Sequence, residues 1–216
     1  MTQEAFNQAK QAYKNLLDVL GATLNTFNNN VPEDKRVDPR GFQIKFDILL
    51  QHSLINIAIS DEEMFMDELV LIHDITDLGD IVLFFRDVYK NEMTWEDLYK
   101  MSPSDVARIL KEQEENIAYL ADDFVKIVSV VDAVVTEYDV TGMLFHEVET
   151  VVKVLMCLDG EIKEDAEKVN STYILHLFNQ ISERKSEIQK NCSAPAEPEE
   201  ECSSQSLEDV FNKKRK

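Results

Sequence analysis

Between Ser104 and Asp139 the chain runs for 36 residues without a glycine or a proline. Through this stretch Val106, Leu110, Ile117, Leu120, Phe124, Ile127, Val131 and Val134 recur at steps that keep an apolar face along a helix. Backbone with that period, and with no residue that breaks a helix, reads as helical. It forms either one very long helix or two with a hinge at "KEQEEN", its most polar part. The same economy holds throughout, since 216 residues contain only five glycines and five prolines. So few turn formers, and no long period-two runs of β-branched residues, predict an all-α fold: a single helical bundle of about seven to eight helices.

The remaining helices follow from the same reasoning. Phe6, Ala9, Tyr13, Leu16, Leu17, Leu20, Leu24 and Phe27 mark one face of a helix over residues 3 to 28. "NNNVPEDKRVDPRG" then reads as a loop. Asp38-Pro39 pairs an N-cap with a proline at the first helical position. That opens a helix with Phe42, Phe46, Leu49, Leu50, Leu54 and Ile57 inward, ending near Ala58. Ser60 to Glu63 form a capping box for a helix through Met64, Phe65, Leu69 and Ile72. Further helices are predicted through Ile81 to Tyr89, from Thr94, from Ser102-Pro103, from about Met143 to Leu158, and from about Glu164 to Lys190.

After Asn191 the composition changes to "CSAPAEPEEECSSQ", which carries too little apolar surface to order itself. The last stretch sets Leu207, Val210 and Phe211 at helical spacing before a basic cluster, the pattern of a loose terminus or a short docking motif. The expected organisation is an N-terminal helix and loop over 1–36, a helical domain over 37–190 and a disordered acidic/basic tail over 191–216.

The charge excludes several functions. With 42 acidic residues against 22 basic ones, net −20, the surface repels phosphate backbones and anionic membranes, so nucleic acid is not an expected partner. Cations and basic protein segments are. The start has neither a basic n-region nor an apolar h-region, and no run reaches the roughly 20 apolar residues that span a bilayer. A cytoplasmic location without membrane insertion is expected, and three scattered cysteines agree with it. Cys157, inside an apolar run, reads as a small core residue.

No catalytic constellation emerges. His146 begins a zinc-protease-like "HEVET" but has Thr150 where the second histidine belongs. No Glu-x-x-His, P-loop, G-x-G-x-x-G or G-x-S-x-G occurs. His52 and His176 lie beside apolar faces and read as core or boundary residues, and Asp122-Asp123 as a solvated helix face. An enzyme is not expected.

One motif occurs twice. "VKVLMCL" (152–158) followed by Asp159-Gly160-Glu161-Ile162 aligns without a gap on "LLQHSLI" (49–55) followed by Asn56-Ile57-Ala58-Ile59. Each copy is an apolar helix, a polar residue at its end, an Ile three positions on and an acidic helix start. The copies stand 103 residues apart, a spacing suited to two helix-turn-helix units packed by a pseudo-two-fold. The layout resembles the tellurite-resistance TerB family, with its "A-D-G-x-I-x-x-x-E" element near both ends of the domain. "CLDGEIKEDAE" supplies Asp159, Gly160 and Ile162, with Cys157 in the small-residue place and Ala166 where the closing Glu falls. The first copy has Asn56 and Ile57 in place of Asp-Gly but keeps Ile59 and Glu63. The resemblance covers roughly residues 40 to 180. It implies an all-α, bacterial, cytosolic protein tied to metal or chemical stress, with divalent-cation binding at its acidic residues and no established enzyme activity.

The residues themselves leave two readings of the second corner. As a turn, Asp159 ends one helix, Gly160 takes positive φ, Ile162 pins the bend, and Glu164 and Asp165 favour the next helix start. As a metal site it is not an EF-hand, because the first, third and twelfth loop positions fall on Leu155, Cys157 and Ala166. Asp159, Glu161 and Glu164, joined across the pseudo-two-fold by Asn56 and Glu63, would instead offer hard oxygen ligands to Ca2+ or Mg2+. The alternative function is a metal-independent helical adaptor or scaffold that docks a basic protein partner.

Overall fold

The computed structural model describes residues 2–59, 65–76, 100–135, 138–156 and 172–193. Among these the chain is helical, with no strand: α1 (Gln3–Asn29), a 3-10 turn (Glu33–Lys35), α2 (Pro39–Ala58), α3 (Phe65–Thr76), α4 (Pro103–Glu112), α5 (Glu114–Val134), α6 (Val140–Met156) and α7 (Tyr173–Ser193). The all-α bundle is the observed architecture. No helix among the described residues is long and apolar enough to cross a membrane.

Local chemistry explains where these helices begin. Thr2 Oγ1 accepts the Ala5 amide at 3.2 Å, and Asp38 Oδ2 accepts the Gly41 amide at 2.7 Å with Pro39 at the first helical position. Ser102 and Asp105 form a reciprocal capping box ahead of α4, and the hydrogen bonds from Ser102 hold the exposed Asp105 carboxyl below the usual carboxylate range. The loop after α1 is closed by one side chain: Asn28 donates to the Val37 carbonyl and accepts the Val37 amide, both at 2.8 Å.

The long glycine-free stretch is two helices, parted at Gln113 inside the polar "KEQEEN". The helix expected from Met143 begins three residues earlier, at Val140. Asp139 accepts the Gly142 amide at 3.1 Å, and Asp132 accepts that of Val140 at 2.9 Å. Together they satisfy first-turn amides that an unaided start would leave unpaired.

Among the described helices α2 is the centre of the bundle and packs against the six others, while α1 lies most extensively along α6 and α7 along α5. Residues 49–55 of α2 are buried without interruption, so no face of those two turns reaches solvent. Gln51, His52 and Ser53 therefore sit inside, and Ser53 satisfies itself by donating to the Leu49 carbonyl at 3.0 Å. An aromatic cluster joins four helices. Phe124 of α5 lies 6.2 Å from Phe42, 5.3 Å from Phe46 and 6.3 Å from Phe178, and Phe178 stacks edge-on against Phe145 at 5.7 Å.

Candidate functional site

Asn56 lies exposed near the end of α2, and its side-chain amide donates to the His52 carbonyl at 2.8 Å. That bond occupies the nitrogen and leaves Oδ1 as the atom able to offer a lone pair to a cation. One turn back, His52 meets Tyr173 edge-on, with ring centroids 6.1 Å apart. Tyr173 opens α7, two residues after the segment that contains Asp159, Glu161 and Glu164. The last turns of α2 thus adjoin the chain where it leaves that segment.

Asp159, Glu161, Glu164 and Glu63 lie outside the described residues, as do the corner at 157–171, the Ser60–Glu63 capping box and Cys157. Among the described residues no three His, Cys, Asp or Glu side chains come together in a way that could hold a metal ion.

One turn in from the exposed Asn56, His52 is shielded from water. Burial lowers the His52 pKa to about 4, so its ring is neutral at physiological pH. Desolvation likewise raises the pKa of the Tyr173 phenol. Among the described residues the buried Gln51 Oε1 has no hydrogen-bond partner. Of the two histidines read as core or boundary residues, only His52 is buried. His176 is exposed on α7, because the inward face there is taken by Ile174, Leu177, Phe178 and Ile181. Asp122 is solvated as expected, whereas Asp123 is held by Lys45 at 2.6 Å across α2 and α5.

One buried carboxylate, Asp132, and one half-buried one, Asp47, were not singled out from sequence. The Asp132 side chain has no solvent exposure and binds three partners: the Val140 amide at 2.9 Å, the Thr141 hydroxyl at 2.5 Å and Lys185 Nζ at 2.9 Å. It ties the end of α5 to the start of α6 and to α7. Its signal in the sequence is an acid inside the apolar run "VSVVDAVV". Asp47, between α2 and α1, accepts a hydrogen bond from the Tyr13 hydroxyl at 3.3 Å, yet burial pushes its pKa up to about 7.

Asp47 and His52 give stability opposite dependences on pH. Native Asp47 keeps its proton up to about pH 7, whereas the unfolded carboxyl loses it near 3.8, so this group's contribution falls as pH rises between those values. Unfolded His52 gains a proton near 6.5 and the native ring only near 4, so its contribution falls as pH drops through that window. The two slopes oppose each other. Asp47→Asn is expected to stabilise the chain at pH 8 by about 1–2 kcal/mol, after discounting for partial exposure, and to change it little at pH 4. Urea unfolding of both proteins at the two pH values measures the difference, and equal stability at pH 8 would refute the buried-charge assignment.

Comparison of the chain with protein-family models, with curated proteins and with solved structures gave no match.

Proposed function

We propose that this chain is a non-enzymatic, TerB-like stress-response protein of the bacterial cytoplasm that binds divalent cations, Ca2+ or Mg2+, or a partner protein through its acidic surface. The observation that supports the cation reading is the meeting of α2 and α7. Asn56 stands one turn from His52, and His52 meets Tyr173, which follows the Asp-Gly-Glu-Ile segment by eleven positions. A pairing of the two motif copies requires that neighbourhood. Asp159, Glu161 and Glu164 would supply carboxylate oxygens, with Asn56 Oδ1 and Glu63 completing a hard, oxygen-only set. The alternative, a metal-independent helical adaptor docking a basic protein partner, draws on the net charge of −20.

Thermal unfolding with added metal separates the two. At a free calcium or magnesium concentration about 100 times Kd, the native state gains about 2.7 kcal/mol. For a domain of this size that is roughly 5–10 °C. The gain is expected to vanish in Asp159→Ala. No shift with calcium, magnesium, manganese or zinc selects the adaptor.

A further inference from the structure

Six large apolar side chains are more than a third exposed among the described residues, and three of them share one corner: Val134 at 51 %, Tyr138 at 64 % and Met143 at 46 %. Ile44, Val70 and Tyr119 are scattered singly on α2, α3 and α5. The corner joins α5 to α6, and Asp132 clasps its two arms together. Scattered apolar residues need no explanation, but a group at one place invites a partner.

We propose that the C-terminal segment Leu207–Lys216 docks on this corner within its own chain. Three observations specify that occupant. The first is pattern: Leu207, Val210 and Phe211 fall at helical spacing, offering three apolar side chains to set against the three exposed at the corner. The second is charge. Lys213, Lys214, Arg215 and Lys216 follow directly, whereas residues 1–193 hold 36 acidic side chains against 18 basic ones. At the corner itself Asp139 is exposed, and the last turn of α5 carries no basic residue to complement its helix dipole.

The third is reach. Lys185 contacts Asp132 at 2.9 Å, so α7 passes the corner and continues to Ser193, roughly 12 Å further along its axis. Thirteen residues, Ala194 to Ser206, separate Ser193 from Leu207, and a random-coil chain of that many residues covers about 20 Å r.m.s.. That length matches the return path and gives an effective concentration in the millimolar range. A contact too weak to hold a separate molecule at micromolar concentration is then occupied in cis. The contact involves no metal and stands independently of the cation reading.

Carbodiimide coupling of lysine amines to carboxylates on the full-length chain, using a mixture of 14N and 15N protein, tests the contact. Amide links from Lys213, Lys214 or Lys216 to Asp139 are expected within single-isotope chains. Their yield should fall about fivefold or more in Phe211→Ser and, separately, in Tyr138→Ser, whose exposed side chain leaves folding undisturbed by circular dichroism. Links found mainly between differently labelled chains would overturn the proposal in favour of a second copy. Links spread evenly over the acidic surface, or unchanged in both variants, would overturn it outright.

Discussion

Phe124→Ala is expected to lower the unfolding free energy by about 4 kcal/mol, within the 3–5 kcal/mol typical of removing a buried Phe. Phe124 is 1 % exposed and sits where α2, α5 and α7 converge, against Phe42, Phe46 and Phe178. Alanine there forfeits the transfer free energy of the ring and leaves a void bordered by three other rings. Those rings are set in two helices, Phe42 and Phe46 on α2 and Phe178 on α7, so closing the void requires whole helices to shift, and relaxation recovers little. The edge and stacking contacts add about 0.5–1.5 kcal/mol per aromatic pair beyond area. Since domains are typically stable by only about 5–15 kcal/mol, the variant should melt far below the parent or be partly unfolded at room temperature. Tyr119→Ala, on the same helix but 68 % exposed, is the control and should stay within about 0.5 kcal/mol. Urea unfolding followed by circular dichroism measures both. Similar losses in the two variants would mean that the aromatic cluster is not the keystone of the bundle.

The sequence told most about helices whose ends carry their own chemistry. Asp38-Pro39 and Ser102-Pro103 announce α2 and α4, because cap and proline act within one turn of the backbone they start. The apolar face of α1 was legible for the same local reason. The break at Gln113 was narrowed to a polar stretch but not decided, since propensity alone does not say whether such a stretch bends. α6 was placed three residues late because Asp132, eight positions upstream of Val140, satisfies part of its first turn. A partner that far away leaves no periodic trace. The uninterrupted burial of α2 was also hidden: His52 read as a core or boundary residue, but nothing in the apolar period places Gln51 and Ser53 inside, and they are buried because α2 is packed on by helices on every side. Of the candidate site, Asn56 and its neighbourhood are described, and the pairing of α2 with the second motif rests on the repeat alone. The contact between His52 and Tyr173 depends on packing across 121 residues of chain, which no local pattern encodes.

Asp132→Ala should cost about as much as losing the aromatic keystone, roughly 3–5 kcal/mol, though by a different mechanism. A carboxylate without solvent exposure is stable only while its lone pairs are engaged, and here the Val140 amide, the Thr141 hydroxyl and Lys185 engage them. Removing it takes an acceptor from all three donors at once. The Val140 amide and the Thr141 hydroxyl lie in buried residues, and each unsatisfied donor there costs about 1–3 kcal/mol. Lys185 keeps 27 % side-chain exposure and can turn toward water, so it adds less. Thr141→Val removes one donor and its need together and should cost about 1–2 kcal/mol. The loss should also be local. Amide exchange should accelerate first in the opening turn of α6, around Val140 to Met143, because Asp132 holds that turn from outside the helix. A uniform rise in exchange across all helices, with no excess at that turn, would instead mean that the carboxylate supports the core as a whole and not the junction of α5, α6 and α7.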